Sequence, residues 1–350
     1  MSLERLIAQI GPLDQAAMAA ARARQDRLTK PQGSLGRLEA LSIQLAGITG
    51  QAQPRLHHKV IVTMAGDHGV VAEGVAAFPQ EVTPQMVYNF LRGGAAINVL
   101  ARHVGARIVV VDMGVAASLE AHTGLIIKKV APGTGNIARG PAMDRAQAVR
   151  CLEAGAEVVE AEMERGLDIL GTGEMGIGNT TPSSAIVAAF TGHSPAEVVG
   201  RGAGVDEAGL ARKIAAVQRA LAANRPDPND ALDVLAKVGG YEIGGLAGAM
   251  LAAAAHRHPV VVDGFISSAA AMIAVGLAPE VRPYLIAAHR SQERGHQAML
   301  AWLGLAPLMD LDLRLGEGTG AALGISLADA ACKVLNEMTT FDEAGVSEKQ

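Results

Sequence analysis

The chain has 350 residues, of which 49% are hydrophobic and 19% charged, which supports a large buried core and excludes a disordered chain. Aromatic residues make up only 3%, and the formal charge is −5 with no basic stripe, so a nucleic-acid binder is not expected. The 41 glycines, together with alanine and aliphatic residues, predict a core of small, closely packed side chains.

No pattern in the sequence indicates export or membrane insertion. Charged residues begin at Glu4, so an apolar signal core is missing from the N-terminal stretch. The longest apolar stretch, residues 243–255, is shorter than the ~20 residues that a membrane span needs. Cys151 and Cys332 are far apart and have no metal-binding spacing. We therefore expect a cytoplasmic protein with neither a membrane nor a nucleic-acid partner.

Six short runs rich in Val, Ile and Leu predict β-strands, and several are apolar throughout, as expected of strands covered on both faces. The predicted strands are residues 58–64, 107–113, 125–130, 167–170, 259–263 and 284–287. Alanine-rich helical patterns fall at residues 84–104, 143–165, 206–224, 241–255 and 267–275. This alternation predicts an α/β fold with a doubly wound, mostly parallel six-stranded sheet and right-handed crossovers.

The two ends of the chain are predicted to be helical. Ser34 is a candidate N-cap for a helix from Leu35, and a long helix is expected over residues 321–338. These ends are expected to form a small discontinuous domain of residues 1–29 and 303–350, beside a large α/β domain of residues 30–302. The Pro- and Asp-rich residues 224–230 predict an exposed loop.

In an open parallel sheet, ligands bind beyond the carboxyl ends of the strands, so the residues that follow each strand form the candidate site. Gly66-Asp67-His68-Gly69 follows the first strand. Asp67 and His68 suit acid–base or metal chemistry, but a polar turn capped by Asp67 explains them equally well. The residues alone leave both alternatives open.

The fourth strand precedes a glycine-rich segment, residues 171–178, and then a helix predicted to open at Thr181-Pro182. Backbone N–H groups at such a helix start suit an anion, although a tight turn is the simpler alternative. The spacing matches neither a dinucleotide fingerprint nor a P-loop. Glu174 lies inside the segment, and a carboxylate repels an anion, so a neutral or cationic ligand is expected beside it.

A second glycine cluster, residues 200–204, is followed by a helix that carries Lys213. Arginine, lysine and free backbone amides make a plausible phosphate site, whereas Lys213 on a solvated helix face is the alternative.

Asp263 with Ser267 and Ser268 follows the fifth strand, and His289-Arg290-Ser291 follows the sixth; these groups suit ribose hydroxyls and phosphate. His289 and His296 lack a third ligand with matching spacing, so no metal site is expected.

Two further segments, around Glu317 and around Phe78, contain candidate site residues. Glu317 lies between Gly316 and Gly318 at the start of the last long helix, where it is either a helix-stabilising acid or a general base. Phe78 and Met86 offer a surface for a flat heteroaromatic ligand, with Gln85 bonding its edge, unless Phe78 is ordinary core.

Taken in order, these clusters resemble the nicotinate-nucleotide–dimethylbenzimidazole phosphoribosyltransferase family. The stretches that carry the resemblance span residues 65–70, 78–83, 173–181, 263–267, 289–291 and 315–320. The set extends from about residue 30 to residue 330, and its order is far more specific than any one motif. One departure is Ala77-Phe78, where some members have Ser-Tyr, so a hydroxyl near the base is absent here.

The resemblance implies transfer of the phosphoribosyl group from nicotinate mononucleotide to 5,6-dimethylbenzimidazole, with inversion, in cobalamin synthesis. It implies a Rossmann-like large domain, a small helical domain formed by both termini, a homodimer, and neither cofactor nor metal. Glu317 is the expected catalytic base, with Glu174 either stabilising positive charge on the ribose or bonding the base. The base pocket is expected at Phe78, Gln85, Met86, Glu174, Met175 and Leu315. The phosphate, ribose and nicotinate side is expected at Gly176, Gly202, Lys213, Asp263, Gly264 and Ser291.

Two other classes fit the fold. A nicotinamide-dependent oxidoreductase is disfavoured because no GxGxxG follows the first strand, and Asp112 is the nearest candidate for its ribose-binding acid. A non-catalytic ligand-binding protein is disfavoured by the intact Glu317.

Overall fold

The computed structural model describes residues 2–347, and its centre is a six-stranded sheet in which every pairing is parallel. The strands are β1 Lys59–Gly66, β2 Ala106–Gly114, β3 Leu125–Ile127, β4 Ile169–Met175, β5 Val260–Val262 and β6 Leu285–Ala287. Their order is β3-β2-β1-β4-β5-β6. Strands β1 to β3 are added towards one edge of the sheet and β4 to β6 towards the other, so the order of addition reverses between β1 and β4. The predicted doubly wound α/β fold is confirmed.

Helices cover both faces of the sheet. They are α1 Leu3–Ile7, α2 Gln15–Arg27, α3 Arg37–Thr49, α4 Val82–Arg92, α5 Ala96–Val104, α6 Arg145–Met163, α7 Thr180–Thr191, α8 Pro195–Val198, α9 Glu207–Asn224, α10 Ala231–Val238, α11 Tyr241–Ala255, α12 Phe265–Leu277, α13 His296–Leu303, α14 Thr319–Glu337 and α15 Phe341–Ala344. Within residues 2–347, none of these helices is long and apolar enough to span a bilayer.

The central strand β1 shows why its sequence is apolar throughout. Val60, Val62 and Met64 pack into a core shared with α6 and α11 on one face. Ile61 and Ala65 point the other way, into a core shared with α5 and α14. Because side chains alternate between the two faces of a strand, burial on both sides demands hydrophobic residues at nearly every position.

The glycine-rich composition is explained by helices that touch backbone to backbone. A Cβ at Gly155 of α6 would overlap the carbonyl oxygen of Gly245 on α11, and one at Gly248 would overlap that of Leu152. Any larger residue at these positions would force the two helices apart and open cavities along the sheet.

The N-terminal helices pack on the C-terminal helix, with Ala21, Ala46 and Leu335 forming a small core of their own. The predicted N-cap Ser34 is wrong: α3 begins at Arg37, and its N-cap is Gly36, whose φ of 53° suits glycine. Ser34 instead lies in a preceding turn, its N–H bonded to the carbonyl of Pro31. The division into domains at residues 30 and 302 stays a prediction.

Candidate active site

A pocket of about 460 Å³ lies beyond the carboxyl ends of the strands, at the point where the strand order reverses. Its volume is in the range of small-molecule sites. The residues of the pocket include almost every predicted site residue, namely Phe78, Met86, Glu174, Met175, Gly176, Gly202, Lys213, Asp263, Gly264, Ser291, Leu315 and Glu317. The fold therefore brings segments that are distant in the chain to one edge of the sheet.

The sequence pattern indicated a loop around Glu174, but the residue lies near the end of β4. The strand continues through Gly171 and Gly173 because α14 approaches the sheet there: a Cβ at Gly173 would overlap the carbonyl oxygen of Glu317. These glycines are therefore sites of close backbone approach. They allow β4 and the start of α14 to place Glu174 and Glu317 on the same wall of the pocket.

The Glu174 carboxyl is buried, and its surroundings favour the protonated form. Burial raises its pKa to about 8, a change that the neighbouring carboxylates of Asp263, Glu242 and Glu317 reinforce and that the Asn179 side-chain N–H opposes. The expected repulsion between Glu174 and an anionic ligand is thus weakened at neutral pH, because the protonated form predominates there.

Glu317 lies in an unusual backbone turn. Its φ is 64°, and those of its neighbours Gly316 and Gly318 are 85° and 99°, so three consecutive residues are left-handed. For a residue with a Cβ this conformation costs of the order of 1 kcal/mol. Thr63 of β1 helps to hold the turn by donating its hydroxyl to the carbonyl of Glu317 at 3.0 Å.

The carboxylate of Glu317 accepts a hydrogen bond from the backbone N–H of Ile97 at 3.2 Å. That N–H is available because residues 84–104 form two helices. The prediction of a single helix there is wrong. Gly93, with φ 79°, ends α4, and α5 starts afresh at Ala96, so the Ile97 amide lies in its first turn and has no partner within the helix. Burial raises the pKa of Glu317, and the Ile97 N–H opposes that rise.

Asp263 is expected on the phosphate and ribose side, and in the structure it also binds the backbone at the start of α14. One carboxylate oxygen accepts the N–H of Gly318 at 3.2 Å, and the other accepts that of Ala321 at 2.9 Å. Asp263 thus caps α14 from outside and holds the turn that carries Glu317. Its pKa is raised by burial, while His289 and these backbone N–H groups oppose the rise.

Replacing Thr63 by Val is expected to lower kcat several-fold and the free energy of unfolding by about 1 kcal/mol. Valine keeps the shape of threonine but cannot donate to the Glu317 carbonyl, so the strained turn loses one support. Steady-state kinetics and denaturant unfolding measure the two effects. A variant with lowered stability and unchanged kcat would show that the Thr63 bond does not position Glu317.

Another part of the pocket lining, beside the start of α7, carries a buried lysine. Lys213 of α9 is only 1% exposed, so its alternative placement on a solvated helix face is wrong. Its Nζ donates to the hydroxyl of Thr180 at the start of α7, 2.8 Å away, and lies beside Gly202. Burial lowers the pKa of Lys213 to about 8, and the nearby charge of Glu293 opposes that fall. Together with the amides at the start of α7, this part of the lining suits a phosphate.

The end of the pocket near Glu317 is apolar and open. Phe78 and Leu315 are half exposed in it, and Met86 and Met175 complete the surface, so Phe78 is not ordinary core. Gln85 does not join them: one residue away from Met86 on α4, it faces solvent outside the pocket lining. A turn of about 100° per residue explains why both side chains do not reach the same surface.

The Asp67-His68 motif serves structure around the pocket. One Asp67 oxygen accepts the N–H of Ala116 at 2.8 Å, which agrees with the polar-turn alternative. His68 is buried against Glu242 of α11, with Nε2 and Oε1 2.8 Å apart. Burial lowers the pKa of His68, but the charge and hydrogen bond of Glu242 outweigh burial and raise it above the usual value. A Cβ at Gly176 would approach His68 to 3.3 Å, so this pair supports the segment that follows Glu174.

Of the two histidines considered as metal ligands, His289 lies with Nε2 3.7 Å from Asp263 Oδ1, and His296 is hydrogen-bonded within the protein. Nδ1 of His296 accepts the N–H of Ser291 at 2.8 Å, and its Nε2 bonds Ser268 Oγ at 2.9 Å. Burial lowers the pKa of His296 to about 3, so the ring is neutral. Within residues 2–347, no group of three or more His, Cys, Asp or Glu side chains is arranged to hold a metal.

A doubly wound sheet whose switch-point pocket contains both a carboxylate and a buried lysine is typical of α/β enzymes that act on small molecules. A family model described as phosphoribosyltransferase matches residues 10–346. The chain belongs to the nicotinate-nucleotide–dimethylbenzimidazole phosphoribosyltransferase family, and the resemblance noted in the sequence is confirmed.

Relatives of that name are similar over their whole length. The protein of Roseiflexus sp. (strain RS-1) is 67% identical over 347 residues, covering 99% of this chain and 98% of its own. That of Desulforudis audaxviator is 63% identical over 346 residues, with 99% and 98% covered. The crystal structure of the Thermus thermophilus enzyme is 48% identical, superposes with a TM-score of 0.91, and covers 96% of this chain and 100% of its own.

Proposed function

We propose that this chain transfers the 5-phosphoribosyl group of nicotinate mononucleotide to 5,6-dimethylbenzimidazole, giving α-ribazole 5′-phosphate and nicotinate, as a step of cobalamin synthesis. The names of its relatives support this reaction. The observation that carries it is the polarity of the pocket. Glu317 shares the lining with the exposed apolar side chains Phe78 and Leu315, which suit an aromatic base. Lys213 lies in another part of the same lining, bonded to Thr180, and suits a phosphate.

Glu317 acts as the general base. One ring nitrogen of the benzimidazole attacks C1 of the ribose, and the proton on the other nitrogen becomes acidic as the new bond forms. The Glu317 carboxylate accepts that proton, which stabilises the transition state. The Ile97 N–H keeps this carboxylate oriented, and the left-handed turn directs it into the pocket.

The leaving group needs little help, because nicotinate departs from a pyridinium that already carries a positive charge. Attack from the face opposite the departing ring inverts the configuration from β to α, so the two rings require separate places. The phosphate is held by Lys213, Gly202 and the start of α7, and the nicotinate and ribose lie between them and Asp263, Gly264 and Ser291.

Glu174 contacts the base rather than stabilising positive charge on the ribose. With its pKa raised to about 8, it is a neutral acid at pH 7 and gives little electrostatic stabilisation to a developing cation. Its Oε1 packs against Gly316, one residue from Glu317, on the base side of the pocket.

Glu174→Gln is expected to keep kcat within about tenfold of wild type, because an amide reproduces the shape and hydrogen bonding of a neutral acid. Steady-state kinetics at pH 7 measure the change. A loss of 10³-fold or more would show that Glu174 acts through a negative charge, which is the alternative role.

Adding EDTA is expected to leave the rate unchanged, since the proposed chemistry uses a carboxylate base and a cationic leaving group. The measurement is nicotinate release after exhaustive dialysis against the chelator, with and without added Mg²⁺. A strong loss that a divalent metal restores would reopen the question of a metal site near His289.

The test of the reaction is incubation with nicotinate mononucleotide and a panel of bases, scored by chromatography for released nicotinate and for the riboside product. Dimethylbenzimidazole, benzimidazole, adenine and a phenol make up the panel. Absence of nicotinate release with every base would overturn the proposal, and reduction of NAD with substrate pools would favour the oxidoreductase.

We further propose a homodimer located in the cytoplasm, with the chain divided into the large and small domains described above. The homodimer is implied by the family resemblance, and exposed apolar side chains, Leu311 and Leu315, are available for a subunit contact. Light scattering on the purified chain measures the oligomeric state, and a monomer at micromolar concentration would contradict it.

A further inference from the structure

One buried acid of the pocket has no role in the steps above. Glu293 lies in the segment after β6, lines the pocket and is only 8% exposed. Its Oε2 has no hydrogen-bond partner among residues 2–347. Leaving a buried carboxylate oxygen without a donor is costly, so a donor supplied by a ligand is expected there.

The position of Glu293 is well defined. A Cβ at Gly200 would overlap its Oε2, so the carboxylate rests against the loop that leads to Gly202. Its charge acts on Lys213, and its backbone N–H lies 3.3 Å from the hydroxyl of Ser291. Glu293 is thus between the phosphate end of the pocket and the Ser291 side.

The segment that carries Glu293 is held by hydrogen bonds on both sides. The N–H of His296 donates to the Glu293 carbonyl at 3.0 Å, and the ring of His296 accepts the N–H of Ser291 at 2.8 Å. Because that ring is itself bonded to Ser268, the carboxylate is presented on a fixed loop, as a selective binding group requires.

The choice of ligand group follows from hydrogen-bond chemistry. An ionised carboxylate only accepts hydrogen bonds. In the two substrates of the proposed function, on which this inference rests, the phosphate and the nicotinate carboxylate are acceptors, and the benzimidazole N–H goes to Glu317. The ribose 2′- and 3′-hydroxyls are the remaining donors, and ribose is the part of a nucleotide next to its phosphate.

We propose that Glu293 binds the ribose hydroxyls of the mononucleotide and so selects a ribonucleotide over a deoxyribonucleotide donor. Its carboxylate accepts from the vicinal diol while Lys213 holds the phosphate beside it. Without a nucleotide, the pocket keeps the acid unsatisfied, which favours binding of the group that satisfies it.

The experiment compares dissociation constants of nicotinate mononucleotide and its 2′-deoxy and 3′-deoxy analogues, measured by calorimetry without a base, so that the transfer reaction does not run. Wild type is expected to bind at least one deoxy analogue about tenfold or more weakly. Glu293→Gln is expected to bind the parent about tenfold or more weakly and to lose most of that discrimination. Glu280→Gln, a change at an exposed glutamate outside the pocket, is the matched control and should behave as wild type.

Equal binding of all three nucleotides by wild type would overturn the assignment whether or not any variant folds. Full discrimination retained by Glu293→Gln, or by Glu293→Ala, would also overturn it. Discrimination by wild type that is lost in Glu293→Gln, with no nicotinate released from any base, would contradict the proposed transfer while supporting Glu293 as a ribose ligand. Turnover by wild type together with unchanged discrimination in the variants would contradict the role of Glu293 alone.

Discussion

Replacing Glu317 by Gln is expected to lower kcat by about 10²–10⁴ while KM for both substrates stays within a few-fold. The amide still accepts the Ile97 N–H and fits the same turn, so the fold and the pocket are retained. It cannot take a proton from the benzimidazole. Burial raises the pKa of Glu317, so in wild type kcat should fall as the pH is lowered through that pKa, because the protonated acid is no longer a base.

Nicotinate release over a pH series from acid to mildly alkaline measures both effects, with thermal unfolding as the check on folding. Glu280→Gln is the matched control, because it makes the same chemical change on the exposed surface. Turnover of Glu317→Gln close to that of wild type would remove Glu317 as the base. A wild-type rate that does not change on the acid side would do the same for the carboxylate mechanism.

Replacing Lys213 by Met is expected to raise KM for the mononucleotide about 10- to 100-fold and to leave KM for the base unchanged, because a charge-assisted hydrogen bond to the phosphate is lost. Methionine fills nearly the same volume and removes a buried cation, so a large loss of stability is not expected. Lys333→Met, at a lysine whose side chain is 60% exposed on α14, is the matched control.

The pH dependence gives a second test of the same group. With its pKa lowered to about 8, Lys213 is charged below pH 8 and neutral above it. Affinity for the mononucleotide in wild type should therefore weaken as the pH rises above this pKa, and this dependence should be missing in Lys213→Met. An increase in KM for the base alone would place Lys213 outside the phosphate site.

The helix break at Gly93 shows how far a periodic pattern predicts structure. The apolar periodicity of residues 84–104 is that of one helix. The pair Gly93-Gly94 is a strong stop signal and is the local feature that indicates a break in this helix. The two helices are both amphipathic, so their shared pattern hides the break. Its consequence, an amide of Ile97 directed at Glu317, depends on where α5 lies relative to α14, which no local pattern contains.

The extent of β4 was underestimated for a similar reason. Gly171 and Gly173 have poor strand propensity and predicted a loop, yet both belong to the strand because α14 packs directly on them. Glu293 was present in the segment after the sixth strand but carried no local signal. Only its burial without a partner, a property of the assembled pocket, distinguishes it.

The residue pattern was sufficient to predict the six strands, a mostly parallel sheet and the polar segments that follow β1, β5 and β6. Burial on both faces requires a continuous apolar run, and parallel strands bring their carboxyl ends to one edge. Three features of the pocket follow only from its assembly: which clusters share its lining, the bonds by which Asp263 holds the Glu317 turn, and the raised pKa of Glu174. Hydrogen-bond geometry and desolvation arise from packing between segments distant in the chain, so no local stretch of residues encodes them.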